Sequence, residues 1–218
     1  MSSLLGHILG AEAVLGFAAP LAPEAARSRR AIWMAGVLSL IPDLDVGLYI
    51  LAGKPGWLEP HAGLSHSLLF ALCLGLAGML FLLKNRNEGA VDRNLYVRAT
   101  LVMFAVVFSH LLLDFLASSN LIKGLPLLWP FSDELFRSPV QLLPDAYYSK
   151  AGFGQLFHQM FLNWRSWVGM IIECVILVPL LVMAWKRVLQ RSVFWTLAAV
   201  SAAGMALSFL LYGPAGAL

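Results

Sequence analysis

Charge is what this 218-residue sequence has least of: 12% of its residues are charged, against about a quarter in soluble globular domains. That shortage excludes an ordinary soluble fold. With 60% hydrophobic residues, a chain of this size cannot hide so much apolar surface from water. A mean hydropathy of +0.78 points the same way. Cysteine is nearly absent too. Cys73 and Cys174 sit inside apolar runs without metal-type spacing and read as inert core thiols. A formal charge of +3, with no basic stripe interleaved with aromatics, excludes a nucleic-acid partner. The first six residues carry no Lys or Arg, and His7 and Glu12 interrupt the apolar run that follows. The start therefore reads as a retained segment and not as a signal peptide. There is no internal repeat, low-complexity tract or second soluble domain, so residues 1–218 read as a single integral membrane domain.

What is present is a series of apolar segments near the length of about 20 residues that spans a bilayer. They lie at roughly 4–23, 31–52, 67–83, 97–118, 168–185 and 193–213. The expected fold is all-α: a polytopic transmembrane helical bundle with about five to six membrane segments. Pro20 and Pro23 shorten the first segment, which also fits a re-entrant or interfacial helix. Arg27, Arg29, Arg30, Lys84, Arg86, Arg93, Arg98, Lys186, Arg187 and Arg191 flank one set of connections. Lys54, Lys123, Arg137, Lys150 and Arg165 are spread over the other set. Basic connections tend to stay cytoplasmic, so both termini are expected to face outward.

The long connection, 119–167, falls on the outward side. Pro126, Pro130, Pro139 and Pro144 break its first half. Its second half, from Phe153 to Trp164, reads either as an interfacial amphipathic helix or as a loop with packing aromatics.

The chemistry lies in ionisable residues that membrane segments ordinarily avoid. An Asp at a helix centre costs about 2.5–3.5 kcal/mol on insertion scales, which makes such residues functional candidates. In Ser39-Leu-Ile-Pro42-Asp43-Leu44-Asp45, carboxylates two apart point to different sides of a regular helix. Pro42 is expected to break that helix, so that both converge on one place. The alternative is that Asp43 caps the helix restarting after the proline. His61 and His66 follow around Gly63, whose freedom permits a bend, with Ser65 as the expected N-cap of the third segment. His110 and Asp114 are four apart and share one helical face, as metal ligands or as a bare ion pair. His7 lies near the same outward level. Glu12, five residues further on, points elsewhere and reads as a group reaching another ligand from behind or as a partner of a polar residue elsewhere. Glu173 is a further candidate, and His158 reads as interfacial.

Together His7, Asp43, Asp45, His61, His66, His110 and Asp114 form the expected ligand set. Mixed imidazole and carboxylate donors suit zinc, and also manganese or iron. Seven ligands exceed the four of one tetrahedral zinc, so two or more divalent ions are expected. An Asp bridging two ions would help hold hydroxide for attack on a phosphorus or carbonyl centre, with a second carboxylate as general base. Asp43, Asp45 and His66 are the candidate catalytic groups.

The order of Leu-Gly-His7, Pro42-Asp43-Leu44-Asp45, His61-x-Gly-x-Ser-His66-Ser67, His110-x-x-x-Asp114 and Trp129-Pro130-Phe131-Ser132 resembles the membrane-bound metal-dependent hydrolase family. These are bacterial and archaeal inner-membrane proteins, some described as LexA-regulated. The motifs cover residues 7–132. The family is in turn similar to zinc-dependent phospholipase C, which implies a helical metal site cleaving phosphoesters. It also implies an inner-membrane location and membrane lipids, or lipid-like phosphoesters, as partners. One departure is Ala62, where the family usually has an Arg able to clamp a phosphate in two-pronged fashion. Lys54 and Arg137 are candidate substitutes. The rival expectation is a divalent-metal-binding membrane protein or carrier without hydrolysis.

Overall fold

The computed structural model describes residues 2–53, 63–84, 93–117, 124–145, 151–186 and 190–212. Helix α1 (Leu4–Ala18) begins where the Ser3 hydroxyl accepts from the Gly6 amide, and it ends ahead of Pro20, which has no N–H to continue the ladder. A short α2 (Pro23–Ala26) leads into α3 (Arg29–Leu40) and α4 (Leu44–Leu51). These two helices are one apolar stretch bent by 47° at the break that holds Pro42. Then come a single 3-10 turn (Leu64–His66), α5 (Leu68–Leu83) and α6 (Arg93–Ala117). After the long connection follow α7 (Phe153–Phe157), α8 (Trp164–Trp185) and α9 (Arg191–Tyr212). Among the described residues, one isolated bridge between Leu125 and Phe136 is the only strand-like pairing.

The helices form a membrane bundle with α1 at its centre, packed against α3, α6 and α8. Helix α5 covers α6 and α3, and α9 lies along α8. Leu15, Ala35, Met103 and Val106 fill the core between α1, α3, α5 and α6. Close approach of α5 to α6 depends on Gly75: a Cβ there would sit 2.7 Å from the backbone of Phe104. Small residues at membrane helix contacts serve this purpose. The outer faces carry exposed Leu76, Leu80, Phe81, Leu207 and Leu210, which is costly against water and favourable against acyl chains.

Three helices, α6, α8 and α9, are long and apolar enough to cross a membrane alone, and the bent α3–α4 pair is long and apolar enough to form a broken span or a re-entrant loop. The six expected segments thus include two shorter ones. Helices α1 and α5 have 15 and 16 residues, and at 1.5 Å per residue reach only about 22–24 Å. For α1 the reason is lateral cover, since its neighbours rather than lipid shield most of its length.

One local expectation changes. Ser67, not Ser65, caps α5, its hydroxyl accepting from the Phe70 amide. Ser65 instead lies inside the 3-10 turn and turns its hydroxyl to Asp45. The stretch from Phe153 is helical but stops short of Trp164: α7 runs on into a π-helical segment, His158–Leu162, and Asn163 then caps α8 through the Arg165 amide.

The alternation of directions gathers one end of several elements. Helix α1 begins, α3 ends, α5 begins, α6 ends and α8 begins at the same end of the bundle. The long connection lies across it, donating from Leu142 and Leu143 to the Leu116 carbonyl and accepting from the Leu68 amide at Leu127. Arg27, Arg29, Arg30, Lys84, Arg93, Lys186 and Arg191 belong to the opposite end.

Candidate metal centre

The site grows from the break at Pro42. The last carbonyls of a helix have no intrahelical donor, and the end of α3 at Leu40 leaves that of Ser39 free. The His110 Nδ1–H takes it up at 2.6 Å. A carbonyl only accepts, so Nδ1 must carry the proton and Nε2 a bare lone pair. Nε2 points into the cluster, 3.3 Å from Asp114 Oδ2 and 3.5 Å from Asp43 Oδ1.

His66 is set in the same way from another element. The Ser65 hydroxyl donates to Asp45 Oδ2 at 2.9 Å, and His66 Nδ1 lies 3.0 Å from Ser65 Oγ and 3.3 Å from Asp45 Oδ2. Ser65 spends its one proton on Asp45, so His66 Nδ1 is a donor and, in the neutral ring, its Nε2 carries the lone pair. That Nε2 sits 3.3 Å from His110 Nε2, 3.3 Å from Asp114 Oδ2 and 3.8 Å from Asp43 Oδ1.

Four acceptor atoms from three separate stretches therefore face one another. A tetrahedral shell with bonds of 2.0–2.2 Å has ligand-to-ligand edges of about 3.3–3.6 Å. Four of the five separations just given fall in that range, and the fifth, His66 Nε2 to Asp43 Oδ1 at 3.8 Å, lies just above it. Without a cation these lone pairs repel; with one at the centre they become a coordination shell.

The outer oxygens of the same two carboxylates face a third imidazole. His7 Nε2 is 3.2 Å from Asp114 Oδ1 and 3.6 Å from Asp43 Oδ2. Its ring stacks on that of His110 at 3.8 Å and is fully buried. Neither of its nitrogens makes a hydrogen bond among the described residues. A buried polar group without a partner requires an explanation, and an ion is one. His7, Asp43, His110 and Asp114 each offer a ligand atom within 4.8 Å of the others, so the cluster can hold a metal ion. Asp114 is flanked by imidazoles from three elements and by no Lys or Arg among the described residues.

Of the residues expected from sequence, His7, Asp43, His66, His110 and Asp114 converge. Asp43 occupies the position before α4 but makes no side-chain cap bond, so the capping alternative fails. Asp45 lies on the Nδ1 side of the His66 ring, its Oδ2 3.3 Å from that nitrogen. His61, Ala62 and Lys54 lie outside the described residues. His158 is exposed and away from the cluster. Glu12 is half-buried in a groove with Ile32, Leu181, Trp185 and Lys186, away from the site.

Glu173, in contrast, is fully buried and tied to Ser2 and Ser3. Those serines escaped the sequence reading, although two hydroxyls placed just ahead of His7 were a legible cap signal. In the loop near them, burial pushes the Asp145 carboxyl above its usual range.

Comparison with known proteins agrees with the membrane architecture. The chain is 28% identical over 147 residues to "Inner membrane protein YbcI" of Escherichia coli (strain K12), covering 66% of this chain and 80% of that protein. No solved structure matches. With three to four spans, a buried His and Asp cluster at one end, and a family match that runs over residues 1–211, the chain belongs to the YdjM inner membrane protein family, a name that states a location and no reaction.

Proposed function

We propose that this protein is a membrane-embedded metal-dependent hydrolase that cleaves a lipid or lipid-linked phosphoester or ester at the outer half of the membrane. The observation that carries the reading is the ring of acceptors: His66 Nε2, His110 Nε2, Asp43 Oδ1 and Asp114 Oδ2, at tetrahedral spacing and with two tautomers fixed from behind. Asp43 and Asp114 turn their other oxygens to His7, and these three residues would hold a second divalent ion beside the first. Zinc fits the donor set best, with manganese or iron next.

When bound, such a pair supplies Lewis acidity and makes water acidic enough to act as a nucleophile near neutral pH. The chain's own contribution is to hold the ligands rigid. Ser39 and Asp45 fix the two ring orientations, and the apolar core beneath excludes bulk water. The depth of the cluster, near the end that the long aromatic-rich connection covers, favours substrates delivered from the bilayer. Placement of that end on the outer side rests on the basic residues gathered at the opposite end.

A divalent-ion carrier would need polar groups continuing toward the basic end. Below His7 and His110 lie Ala11, Leu15, Met103, Val106 and Val107, all buried and apolar. Elemental analysis of detergent-purified protein should find up to two equivalents of a transition metal. Purified protein should turn over a phospholipid or a chromogenic phosphodiester, and His110→Ala should lower the rate by at least about 100-fold. Equal turnover in wild type and variant refutes the hydrolase. Metal flux into proteoliposomes without turnover would establish the carrier instead.

A further inference from the structure

Glu173 takes no part in the ring of acceptors, yet it is 1% exposed in the middle of a membrane-spanning helix. Its carboxylate accepts from the Ser2 hydroxyl at 2.5 Å, from the Ser3 amide at 2.9 Å and from the Ser3 hydroxyl. Three donors from two consecutive residues thus converge on one side chain of α8.

Two links lead from this clasp to the cluster, and both reach the same side of it. Ser3 caps α1: its hydroxyl, while donating to Glu173, accepts from the Gly6 amide at 3.0 Å. The first turn of α1 is thereby anchored to α8, and His7 is one turn along. The Ser2 amide donates to Asp114 Oδ1 at 2.7 Å. That is the oxygen 3.2 Å from His7 Nε2, not the one facing His66 and His110. Gly6 leaves the room this requires. A Cβ there would lie 2.6 Å from Glu173 Oε2 and closer still to the Ser2 hydroxyl.

We propose that Glu173 is a positioning residue for the His7 side of the centre, fixing His7 through Ser3 and Asp114 Oδ1 through Ser2. The inference rests on the two-ion reading above. Groups that hold a metal ligand from behind are typically worth 10–100-fold in metal affinity, and here that effect, passed on through Ser2 and Ser3, falls on one ion and spares the other. A carboxylate suits the task because it only accepts, and it faces three donors. The amide of a glutamine offers one acceptor oxygen and turns a donor toward the remaining hydroxyls.

The test is cobalt(II) titration of chelator-stripped, detergent-purified protein, followed by visible absorption, with His7→Ala as reference. Wild type should take up two equivalents. Glu173→Gln should keep the first and weaken the second at least tenfold, as His7→Ala does, and Gly6→Ala should do the same by crowding the clasp. The thermal midpoint of the metal-free protein should stay near wild type in Glu173→Gln. Wild-type affinity for both ions in Glu173→Gln, while His7→Ala loses the second, overturns the positioning role and leaves the two-ion reading standing. Loss of both ions in Glu173→Gln, together with a lower metal-free midpoint, also overturns it and assigns Glu173 to general structure. A wild type that binds no cobalt overturns both readings.

Discussion

The difference between Asp43 and Asp45 rests on which atoms each can reach. Asp43 presents its two oxygens to imidazoles on opposite sides: Oδ1 toward His66 and His110, Oδ2 toward His7. Asp45 Oδ2 meets His66 at Nδ1. On the proposed reading the first would be a metal ligand and the second the group that sets the tautomer of one. Their substitutions should therefore separate. Asp43→Asn is expected to abolish tight metal binding. Asp45→Asn should lower it by about 10–100-fold and leave the number of ions unchanged. A competition titration with a calibrated chelator reads both, and equal losses would remove the distinction.

From sequence, the converging residues were legible because a buried Asp or His in an apolar segment stands out on cost alone. The Asp43 and Asp45 roles were not, because an i, i+2 pair at a helix break has no fixed relative direction. Nor was the part played by Ser39, which acts through its backbone carbonyl.

At the scale of elements, the proline break matters more than any one ligand. Pro42 interrupts what would otherwise be one span, and the interruption does two things at once. It turns Asp43 into the cluster, and it frees the Ser39 carbonyl that orients His110. Pro42→Ala restores an amide and lets α3 continue, after which the Asp43 amide competes with His110 for that carbonyl. The helix should then be more regular and the site worse. Metal affinity is expected to fall at least about tenfold with helical content unchanged or slightly raised, measured by titration and circular dichroism on one sample. Unchanged affinity would show that the break is incidental.

Hydropathy made the bent span and the long helices readable. Pro20 and Pro23 announced the shortness of α1, and the expected 67–83 segment is α5 (Leu68–Leu83) to within a residue. For Phe153–Trp164 hydropathy left helix and loop open; the stretch is helical to Leu162, and Asn163 starts a new cap.

For the whole molecule, the separation of charge by end ties architecture to orientation. The His and Asp cluster and the long connection share one end, and Arg27, Arg29, Arg30, Lys84, Arg93, Lys186 and Arg191 belong to the other. Positive residues in short connections are retained on the cytoplasmic side, so the cluster should sit at the outer headgroup level, where a lipid substrate of the outer leaflet can reach it. This can be read without any activity. Phe131, 85% exposed in the connection at the site end, and Arg30, exposed at the start of α3, mark the two ends. In a background with Cys73 and Cys174 replaced by Ser, Phe131→Cys should react with a membrane-impermeant maleimide in spheroplasts. Arg30→Cys should react only once the membrane is permeabilised. The opposite pattern would turn the cluster toward the cytoplasm and redirect the search for a substrate to the inner leaflet, while leaving the internal geometry of the site untouched.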